Sequence, residues 1–496
     1  MSAGLILGID VGTTSVKAGL VGQDSRVVAS FAESYPTRRS AGGVVEQDAR
    51  DWLRLVDRAV AQVSGHRSDI LAVGLCSQVN THVFLGADDQ PLMPAIVWQD
   101  GRAKAEAAEL DARVDEAQKI AWWGAPMPID ASHALPRMLW VARHRPDIWA
   151  ATRRVMLPKD YCLLHLTGDA GSDPLSNIGL VNSALDYIPG VFDLVPGSFD
   201  KMAPLVPVTG LTGRMRVGGP LAGVPVVSGT MDAWAGLVGA GAAREGASVY
   251  LSGTSEIMGI AARTVVPTPG AIIFPVAAGI RLHAAPTQSG GDAARWFAET
   301  ADLPLDDLSD LVARTPRGDA TPLFLPQLEG ERAPFWDTSL RGAFLGLSRR
   351  SGPGDLGRAV FEGVALSARQ ALELLQASAA TVSDHVACGG GGFRSDAWTQ
   401  IRADVLGVPL RPLEAEEPGM LGAATIAAVG FGEYDSLRDA QGALARYKSD
   451  IEPSAEAHAH YSELLEIYKD TIGTNADLGR RLTDLAFRWP GPNEDV

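Results

Sequence analysis

Cysteine is scarce in this sequence, and its scarcity excludes two kinds of architecture. The chain has three cysteines among 496 residues, at positions 76, 162 and 388, without the Cys-x-x-Cys spacing of zinc or redox motifs. The histidines also lack the spacing of metal ligands, and we interpret His82 and His133 as structural or ligand-facing residues. We therefore expect neither a disulfide scaffold nor a zinc site, and the pattern is typical of a reducing cytoplasm.

Positive charge and long apolar runs are scarce as well. The 43 lysines and arginines are outnumbered by 59 aspartates and glutamates, which gives a net charge of −16. Proteins that bind nucleic acid or an anionic membrane need a basic surface instead. No run approaches the roughly 18 apolar residues of a membrane-spanning helix, and the N-terminus lacks the pattern of a secretory signal. We therefore expect a cytoplasmic protein with no nucleic-acid partner and no membrane association.

What the sequence does contain is typical of a globular protein with two domains. Hydrophobic residues make up 46% of the chain and charged residues 21%, which excludes extensive disorder. A chain of 496 residues exceeds what one hydrophobic core usually supports. A glycine- and alanine-rich run at residues 239–247 marks the predicted boundary, with domains at residues 1–242 and 243–496.

The first motif is a hairpin near the N-terminus. The apolar run at residues 5–9 predicts a buried strand, which stops at Asp10 and passes into Gly12-Thr13-Thr14-Ser15. Small residues and hydroxyls at such a turn let an anion approach several donors, and a carboxylate beside them suits a magnesium-bound nucleotide. Lys17 lies past the turn and is interpreted as structural. An ordinary hairpin with a Gly-Thr turn remains the alternative for this segment alone.

A second segment repeats this plan about half a chain later. Residues 249–261 again read strand, turn and strand, with Gly253-Thr254-Ser255 at the turn. Two such hairpins predict two related halves that face each other across a cleft. The sequence therefore favours a phosphotransferase that holds its nucleotide between these halves.

Polar side chains follow several predicted strands. The strand at residues 70–75 ends in a segment that includes Gln78 and Asn80, and polar residues at such strand ends often line a ligand crevice. Satisfying the backbone of a turn is the alternative role. Asp232 lies at a strand-to-helix transition after the strand at residues 221–228, where capping the helix is the alternative to chemistry.

Apolar periodicity predicts a series of helices in both halves. The main ones are expected at residues 49–63, 103–120, 137–145, 356–376, 455–470 and 475–486. The polar tail that follows them is expected to be frayed.

Motifs of other enzyme classes are weak or missing. Gly352-Pro353-Gly354-Asp355-Leu356-Gly357 formally fits the dinucleotide-binding pattern G-x-G-x-x-G, but Pro353 removes a backbone N–H and no βαβ unit surrounds it. The sequence has no G-x-x-x-x-G-K-[ST] phosphate loop and no G-x-S-x-G elbow. A NAD-dependent enzyme, a P-loop nucleotidase and a serine hydrolase are therefore disfavoured.

Six segments, in order along nearly the whole chain, resemble the FGGY carbohydrate kinases of the sugar kinase, actin and chaperone ATPase superfamily. They are Gly8 to Lys17, Pro225 to Asp232, Leu251 to Ser255, Leu325 to Pro334, the C-terminal signature Gly342 to Glu362, and Gly389 to Asp396. The N-terminal signature departs from the family pattern, because Arg137 stands where a lysine is usual. The resemblance implies two duplicated actin-like, ribonuclease H-like ATPase domains of α/β class, with mixed five-stranded sheets flanked by helices around a central cleft.

The resemblance also implies an ATP-dependent kinase that uses Mg²⁺, acts on a small sugar or polyol and can form a homodimer. It assigns Asp232 as the catalytic base that also contacts the substrate, and Asp10 as the magnesium ligand. The nucleotide would be bound by Asp10, Gly12, Thr13, Thr14, Gly253, Thr254, Gly389, Gly390 and Ser395. The acceptor would be bound by Gln78, Val79, Asn80, Trp98, Asp100, Asp173 and Asp232. The first domain would thus carry the sugar, magnesium and base, and the second the ATP.

The acceptor is less closely defined by these motifs. Trp98-Gln99-Asp100-Gly101-Arg102 and Glu46-Gln47-Asp48 are similar to xylulokinase-like members, which favours D-xylulose or a related ketopentose. Gln78-Val79-Asn80 matches neither the Gln-Met-His of xylulokinases nor the Gln-Arg-Glu of glycerol kinases. A sugar alcohol such as erythritol, ribitol or glycerol therefore stays open as the acceptor. More distant alternatives are a non-catalytic sugar- or nucleotide-binding regulator and a chaperone-like ATPase with a polypeptide partner.

Overall fold

The computed structural model describes residues 4–124 and 126–488. The expected frayed tail at residues 489–496 lies outside the described residues. The strands, in chain order, are β1 Leu5–Val11, β2 Ser15–Gly22, β3 Val27–Ser34, β4 Arg38–Ser40, β5 Val44–Gln47, β6 Ile70–Ser77, β7 Val83–Leu85, β8 Ala95–Ile96, β9 Arg154–Met156, β10 Leu211–Arg214, β11 Pro225–Met231, β12 Ser248–Ser252, β13 Glu256–Ala261, β14 Ile272–Ile273, β15 Leu282–Pro286, β16 Leu323–Leu325, β17 Ala343–Leu345, β18 Val386–Gly389 and β19 Leu410–Pro412.

The helices are α1 Ala49–Gln62, α2 Lys104–Ala112, α3 Glu116–Trp123, α4 Ala134–His144, α5 Pro146–Ala151, α6 Pro158–Thr167, α7 Pro189–Phe192, α8 Asp232–Ala240, α9 Gly291–Thr300, α10 Leu305–Arg314, α11 Pro353–Ala379, α12 Asp396–Leu406, α13 Pro418–Phe431, α14 Leu437–Leu444 and α15 Ala455–Arg488. Two sequence predictions of helix boundaries were wrong. The single helix expected at residues 103–120 is divided into α2 and α3, and the two expected after residue 455 form the continuous α15. Residues 113–115 interrupt the first pattern because Asp115 caps α3 by accepting from the Gln118 N–H.

The chain divides into two compact units. The first runs to Gly239 and adds Phe274–Arg281 and Glu417–Ala445, and the second comprises Ala240–Ile273, Leu282–Glu416 and the chain from Arg446 onward. The sequence predicted one boundary after residue 242. A single boundary cannot describe the late segment of the first unit, because α13 returns to pack on the first sheet.

The first unit contains a six-stranded sheet in the order β10-β11-β6-β1-β2-β3. Strands β1, β2 and β3 are antiparallel neighbours, whereas β6 and β11 continue the sheet parallel to β1. Along β1, Leu7 and Ile9 face the core formed with α1 and α6, and Gly8 faces α13. Since side chains alternate across a strand, Asp10 shares the α13 face with Gly8.

The second unit repeats this plan. Its six-stranded sheet has the order β14-β15-β13-β12-β18-β19. Strands β15, β13 and β12 are antiparallel, and β18 and β19 follow parallel to β12. Five strands of each sheet therefore share one order and one set of directions. The sixth strand, β10 in one sheet and β14 in the other, exceeds the predicted five, and the shared plan agrees with the predicted duplication.

The remaining elements of the first unit lie largely in a long insertion between β6 and β11. A second hydrophobic cluster forms there, built from Phe84, Met138, Val191 and their neighbours. The insertion supplies the segments around residues 78–82 and 96–98, which lie beyond the carboxyl end of β6. Among the described residues, no helix is both long and apolar enough to cross a membrane.

Candidate active site

Two carboxylates lie at the same edge of the first sheet. Asp10 is paired in register with Cys76 on the parallel strand β6, and Thr230 on β11 is paired with Cys76 from the other side. Asp232 follows Thr230 by two residues and begins α8. Adjacent strands are about 4.8 Å apart, and β6 alone lies between β1, which carries Asp10, and β11, which leads to Asp232. Burial, and then the charges of Asp10 and Asp232, raise the pKa of the Cys76 thiol well above its usual value.

Asp10 lies against the start of α13. A Cβ added at Gly419 would be 2.4 Å from Asp10 Oδ2, so only glycine allows the helix to begin this close to the carboxylate. Lys17, the cross-strand neighbour of Asp10, forms an ion pair of 2.5 Å with Glu417, which precedes α13. Within the part of the chain that the structure describes, Asp10 Oδ1 is buried and has no hydrogen-bond partner. One carboxylate oxygen is therefore left for a ligand.

Burial raises the pKa of the Asp10 carboxyl from its ordinary value of 3.8 to about 6, although the charge of Lys17 and the Cys76 thiol act in the opposite direction. A buried carboxylate of this kind costs free energy unless a cation or a donor compensates it. The site thus favours a positively charged ligand at Asp10.

Asp232 occupies the first position of α8. Its Oδ1 accepts a hydrogen bond of 2.7 Å from the Ala233 N–H. Unpaired N–H groups and the helix dipole at a helix N-terminus favour a negative charge there. The ionised form, which is the form able to accept a proton, is thereby stabilised. The capping role and the predicted catalytic role are compatible at this position.

The tip of the first hairpin has its carbonyl groups turned toward the protein. The carbonyl oxygen of Gly12 accepts from the Tyr35 hydroxyl, that of Thr13 from Gln47 Nε2 at 2.8 Å, and that of Thr14 from the Tyr35 N–H at 3.1 Å. In a planar trans peptide the C=O and the next N–H point in opposite directions. The N–H groups of Thr13 and Thr14 therefore point away from these partners, as an anion-binding turn requires.

The tip of the second hairpin has the same arrangement, built from different partners. The carbonyl of Gly253 accepts from the Gly291 N–H at 2.9 Å, and that of Thr254 from the Asp292 N–H at 3.1 Å. The same geometry directs the N–H groups of Thr254 and Ser255 to the opposite side. Gly253 and Thr254 are exposed to solvent. In both predicted phosphate turns, the N–H groups are therefore directed away from the protein groups that bind the carbonyls.

The glycine-rich turn after β18 lies beside the second hairpin tip, because Gly389 pairs in register with Leu251. Gly390 has φ +92°, and a Cβ there would be 2.5 Å from the Ser252 carbonyl oxygen, so the turn requires glycine. Ser395 caps α12 by accepting from the Trp398 N–H at 3.2 Å. The structure therefore gives Ser395 a role in holding this turn.

A fully buried arginine connects these two turns of the second unit. Arg402 donates to Ser252 Oγ at 2.8 Å, to Glu256 Oε1 at 2.6 Å and to the Gly392 carbonyl at 2.5 Å. Its guanidinium also lies 4.0 Å from the Trp398 ring centroid. The sequence analysis missed this residue, since its hydrogen-bond partners come from two separate segments, the second hairpin and the glycine-rich turn.

The residues predicted to bind the acceptor fall into two groups. Val79, Asn80 and Trp98 are partly exposed, as is Asp232. Asn80 has φ +53° and donates from Nδ2 to Ser132 Oγ at 3.1 Å. These side chains lie near the carboxyl ends of the first sheet and can contact a small molecule.

The other three predicted acceptor residues are closed to solvent. Gln78 bonds to Gln47, Tyr35 and Thr81. Asp100 accepts from the Val45 N–H at 2.6 Å and forms an ion pair with Arg102 at 2.7 Å. Asp173 forms an ion pair with Lys159 at 3.0 Å and accepts from Thr230 Oγ1 at 2.7 Å. Their polar atoms are thus directed at the protein.

Arg137, where the family resemblance departs from its usual lysine, is fully buried in the insertion. It donates to the carbonyl groups of Asn80, Ala131, Ile96 and Val97 and contacts His82 Nδ1 at 3.0 Å. The guanidinium has enough donors to hold all of these segments. Arg137 therefore fixes the backbone that carries the partly exposed acceptor residues.

Comparisons with known proteins agree with this architecture. The chain matches the N-terminal domain of the FGGY family of carbohydrate kinases over residues 5–239 and the C-terminal domain over residues 249–431. It is 31% identical over 487 residues to xylulose kinase of Escherichia coli strain K12, covering 94% of this chain and 98% of that relative. Gluconokinase of Bacillus subtilis strain 168 is 26% identical over 494 residues, covering 93% and 94%. The crystal structure of xylulose kinase from Rhodospirillum rubrum aligns with a TM-score of 0.83 and 26% identity, covering 96% and 99%.

Two sheets with five strands in one shared order, together with flanking helices and a Gly-Thr hairpin tip in each unit, define the actin-like ATPase fold that the solved gluconate and xylulose kinases share. The chain belongs to the FGGY family of carbohydrate kinases, and it is an ATP-dependent sugar kinase. The predicted family, fold class and enzyme class are confirmed. The roles assigned to single residues stay predictions.

Proposed function

We propose that this cytoplasmic kinase transfers the γ-phosphoryl group of ATP to a hydroxyl of D-xylulose or a related ketopentose. The observation that carries the proposal is the placement of Asp10 and Asp232 at one sheet edge, two strands apart. The length of the similarity to xylulose kinases supports the choice of sugar, and three buried free thiols support the cytoplasmic location.

Asp232 is the proposed general base. As the acceptor oxygen bonds to the γ-phosphorus, the bond between that phosphorus and the β,γ-bridging oxygen breaks, and ADP leaves with its electrons. The proton of the acceptor hydroxyl passes to the Asp232 carboxylate. The N-terminus of α8 supports this role because it stabilises the charged carboxylate before the transfer.

The two hairpin tips are the proposed phosphate-binding groups. Gly12, Thr13 and Thr14 in one unit and Gly253 and Thr254 in the other would donate N–H and hydroxyl hydrogens to phosphate oxygens. The adenosine would lie against the backbone at Gly389 and Gly390. Ser395 would support that turn as the cap of α12.

Asp10 fits the proposed magnesium site, because its buried Oδ1 has no hydrogen-bond partner among the residues that the structure describes. When bound, the ion would neutralise charge on the phosphate oxygens. No group of three or more histidine, cysteine or acidic side chains among the described residues can hold a metal by itself. This agrees with the usual magnesium site of a kinase, where phosphate oxygens and water complete the ligand shell.

The acceptor would contact Val79, Asn80, Trp98 and Asp232, which together form what we call the acceptor wall. Gln78, Asp100 and Asp173 would act behind this wall, since their side chains are buried and bonded within the protein. Asn80 favours the second candidate, a sugar alcohol, because its neutral carboxamide does not need a particular charge or carbonyl on the acceptor. A regulator without activity is disfavoured, because it would need neither a buried carboxylate at position 10 nor an ionised one at position 232.

A coupled assay of ADP release tests the proposal across ketopentoses, tetritols, pentitols, gluconate and glycerol. We expect the highest kcat/KM with D-xylulose or another ketopentose. Preference for a tetritol or pentitol would favour the second candidate. Absence of sugar-dependent ADP release on every acceptor would refute the kinase assignment at this site.

Asp232→Asn tests the proposed base directly. The amide keeps the size of the side chain but cannot accept the proton, so kcat should fall by about 10²–10⁴-fold. The affinity for ADP, measured by calorimetry, should change little. Turnover close to that of the wild type would show that another group accepts the proton.

A further inference from the structure

A closed ring of hydrogen bonds joins the acceptor wall to the first phosphate turn. Gln78 Nε2 donates to Gln47 Oε1 at 2.8 Å, and Gln47 Nε2 donates to the Thr13 carbonyl at 2.8 Å. On the other side, the Trp98 indole donates to Thr13 Oγ1 and the Trp98 N–H to Thr81 Oγ1, each at 3.1 Å. Thr81 Oγ1 donates to Gln78 Oε1 at 3.0 Å and completes the ring.

Three members of the ring are buried and two are partly exposed. Gln47, Gln78 and Thr81 are 2%, 1% and 0% exposed, whereas Thr13 and Trp98 retain accessible surface. A buried polar group that loses its partner is destabilised. A displacement of Trp98 by a bound molecule is therefore transmitted to Thr13 or opposed by the remaining ring members.

The fold does not require this ring, because the second unit fixes the corresponding carbonyl group without one. The Thr254 carbonyl, which corresponds to that of Thr13, is fixed by the backbone N–H of Asp292. In the first unit the same function falls to the side chain of Gln47, whose carboxamide oxygen is bonded to Gln78 behind the acceptor wall. A backbone donor would fix the turn but could not connect it to the acceptor side.

We propose that Gln47 is a positioning residue that couples acceptor binding to the geometry of the Thr13 phosphate turn. This inference rests on the proposed function. Gln47 contacts neither substrate, since both ends of its carboxamide are bonded to protein. The consequence of this coupling is that ATP is held in position for transfer more effectively when an acceptor molecule is bound at the acceptor wall. The coupling thereby limits transfer of the phosphoryl group to water.

The coupling is measured as the ratio of ADP dissociation constants without and with saturating D-xylulose, by calorimetry. A second measure is the ratio of ATP turnover with and without the sugar. We expect wild-type ratios of at least about fivefold, the lower end of typical coupling between sites. Gln47→Met keeps the length of the side chain but removes its hydrogen bonds to Gln78, to the Thr13 carbonyl and to Thr37 Oγ1, so its ratios should fall to within twofold of one. The ADP affinity without sugar should change less than the affinity with sugar.

Gln62→Met is the matched control. Gln62 is an exposed glutamine of the same unit whose Nε2 donates to the Ser30 carbonyl, and its replacement should leave both ratios unchanged. Thr81→Val breaks the ring on the opposite side with a side chain of similar shape. It should lower the ratios in the same way, and it decides the question if Gln47→Met does not fold.

Equal ratios in wild type and Gln47→Met, or a wild-type ratio of one, would overturn the inference. A purely structural role of Gln47 predicts a lower melting temperature with unchanged ratios, and that result would overturn it as well. Failure of the proposed function is distinct from these outcomes, because the wild type would then release no ADP in response to any acceptor.

Discussion

At the scale of single residues, the carboxylate of Asp10 connects stability with function. Its Oδ1 is buried and has no hydrogen-bond partner in the described ranges, 4–124 and 126–488, and burial raises its pKa from 3.8 to about 6. Between these pH values, the unfolded chain has released the Asp10 proton while the folded chain retains it. The folded state therefore loses stability as the pH rises through this range.

Asp10→Asn should remove this loss. We expect the variant to melt at a higher temperature than the wild type at pH 7.5 in EDTA, with a smaller difference at pH 5. The kinase activity should fall by at least about 10²-fold, because the proposed metal ligand is lost. Thermal melts at both pH values measure the effect. Asp435→Asn, at an exposed carboxylate of the same unit, is the control, and an Asp10→Asn variant less stable than wild type at pH 7.5 would contradict the argument.

Arginine 137 illustrates how a residue can act without reaching the ligand. Its guanidinium holds carbonyl groups on both sides of the acceptor wall, including those of Asn80 and Val97. Burial lowers its pKa from 12.5 to about 9, which is the cost of a charge held mainly by neutral acceptors. The residue at position 137 therefore affects the shape of the acceptor wall through the backbone carbonyl groups that it binds.

At the scale of elements, helix α13 determines the environment of Asp10. It packs directly on the glycines of the first sheet, because a Cβ at Gly8 would be 2.2 Å from the Met420 carbonyl and one at Gly74 would be 2.3 Å from the Ala423 carbonyl. This close packing brings the helix N-terminus to Asp10. The positive end of the helix dipole then partly offsets the buried carboxylate.

Gly419→Ala tests this arrangement. The new Cβ would be 2.4 Å from Asp10 Oδ2, so either the helix or the carboxylate has to move. Overpacking of this kind costs about 1–3 kcal/mol of unfolding free energy, and the KM for the magnesium complex of ATP should rise. Denaturant unfolding and steady-state kinetics measure the two effects.

Gly442→Ala in α14 is the matched control for Gly419→Ala. No heavy atom lies within 4 Å of its added Cβ, and alanine is favoured over glycine in a helix by up to about 1 kcal/mol. The control should be as stable as the wild type or more so, with unchanged KM. If both alanine variants behave alike, the close approach of α13 to Asp10 has no functional effect.

At the scale of the whole molecule, one architecture has been used twice with different partners. Each unit has a sheet of the same order and a three-residue hairpin tip with its carbonyls fixed by protein donors. The first unit adds the insertion with the acceptor wall, and the second adds the glycine-rich turn after β18. In the proposed function, the duplication would therefore separate acceptor binding from adenosine binding.

This separation predicts that a substitution in one unit raises the KM for ATP and a substitution in the other raises the KM for the acceptor. Gly390→Ala strains a residue with φ +92° whose Cβ would approach the Ser252 carbonyl, so it should raise the KM for ATP about tenfold or more and leave the acceptor KM unchanged. Asn80→Gly keeps a residue compatible with φ +53° and removes the carboxamide, so it should raise only the acceptor KM. The factor of about ten corresponds to one lost hydrogen bond of roughly 1.4 kcal/mol.

Gly391→Ala is the control in the second unit, since no heavy atom lies within 4 Å of its added Cβ. It should leave both KM values near those of the wild type. An Asn80→Gly variant with a raised ATP KM and an unchanged acceptor KM would contradict the division of roles between the units.

Features that depend on neighbouring residues could be predicted from the sequence alone. The two hairpins, the Gly-Thr tips and most helices follow from local patterns of apolar residues, glycines and caps. The family followed from the order of these motifs along the chain. Local patterns determine such elements because strand pairing across a short turn and the apolar face of a helix involve only nearby residues.

Which polar atoms are buried, paired or open depends instead on how distant segments pack together. Gln78, Asp100 and Asp173 look like ligand-binding residues in the sequence, but partners from distant segments enclose them. The carboxylate of Asp10 is enclosed in part by α13, a late segment of the chain whose Gly419 lies against Asp10 Oδ2. Burial and pairing depend on the elements that surround a side chain, and these contacts between distant segments are not encoded in the residues next to it.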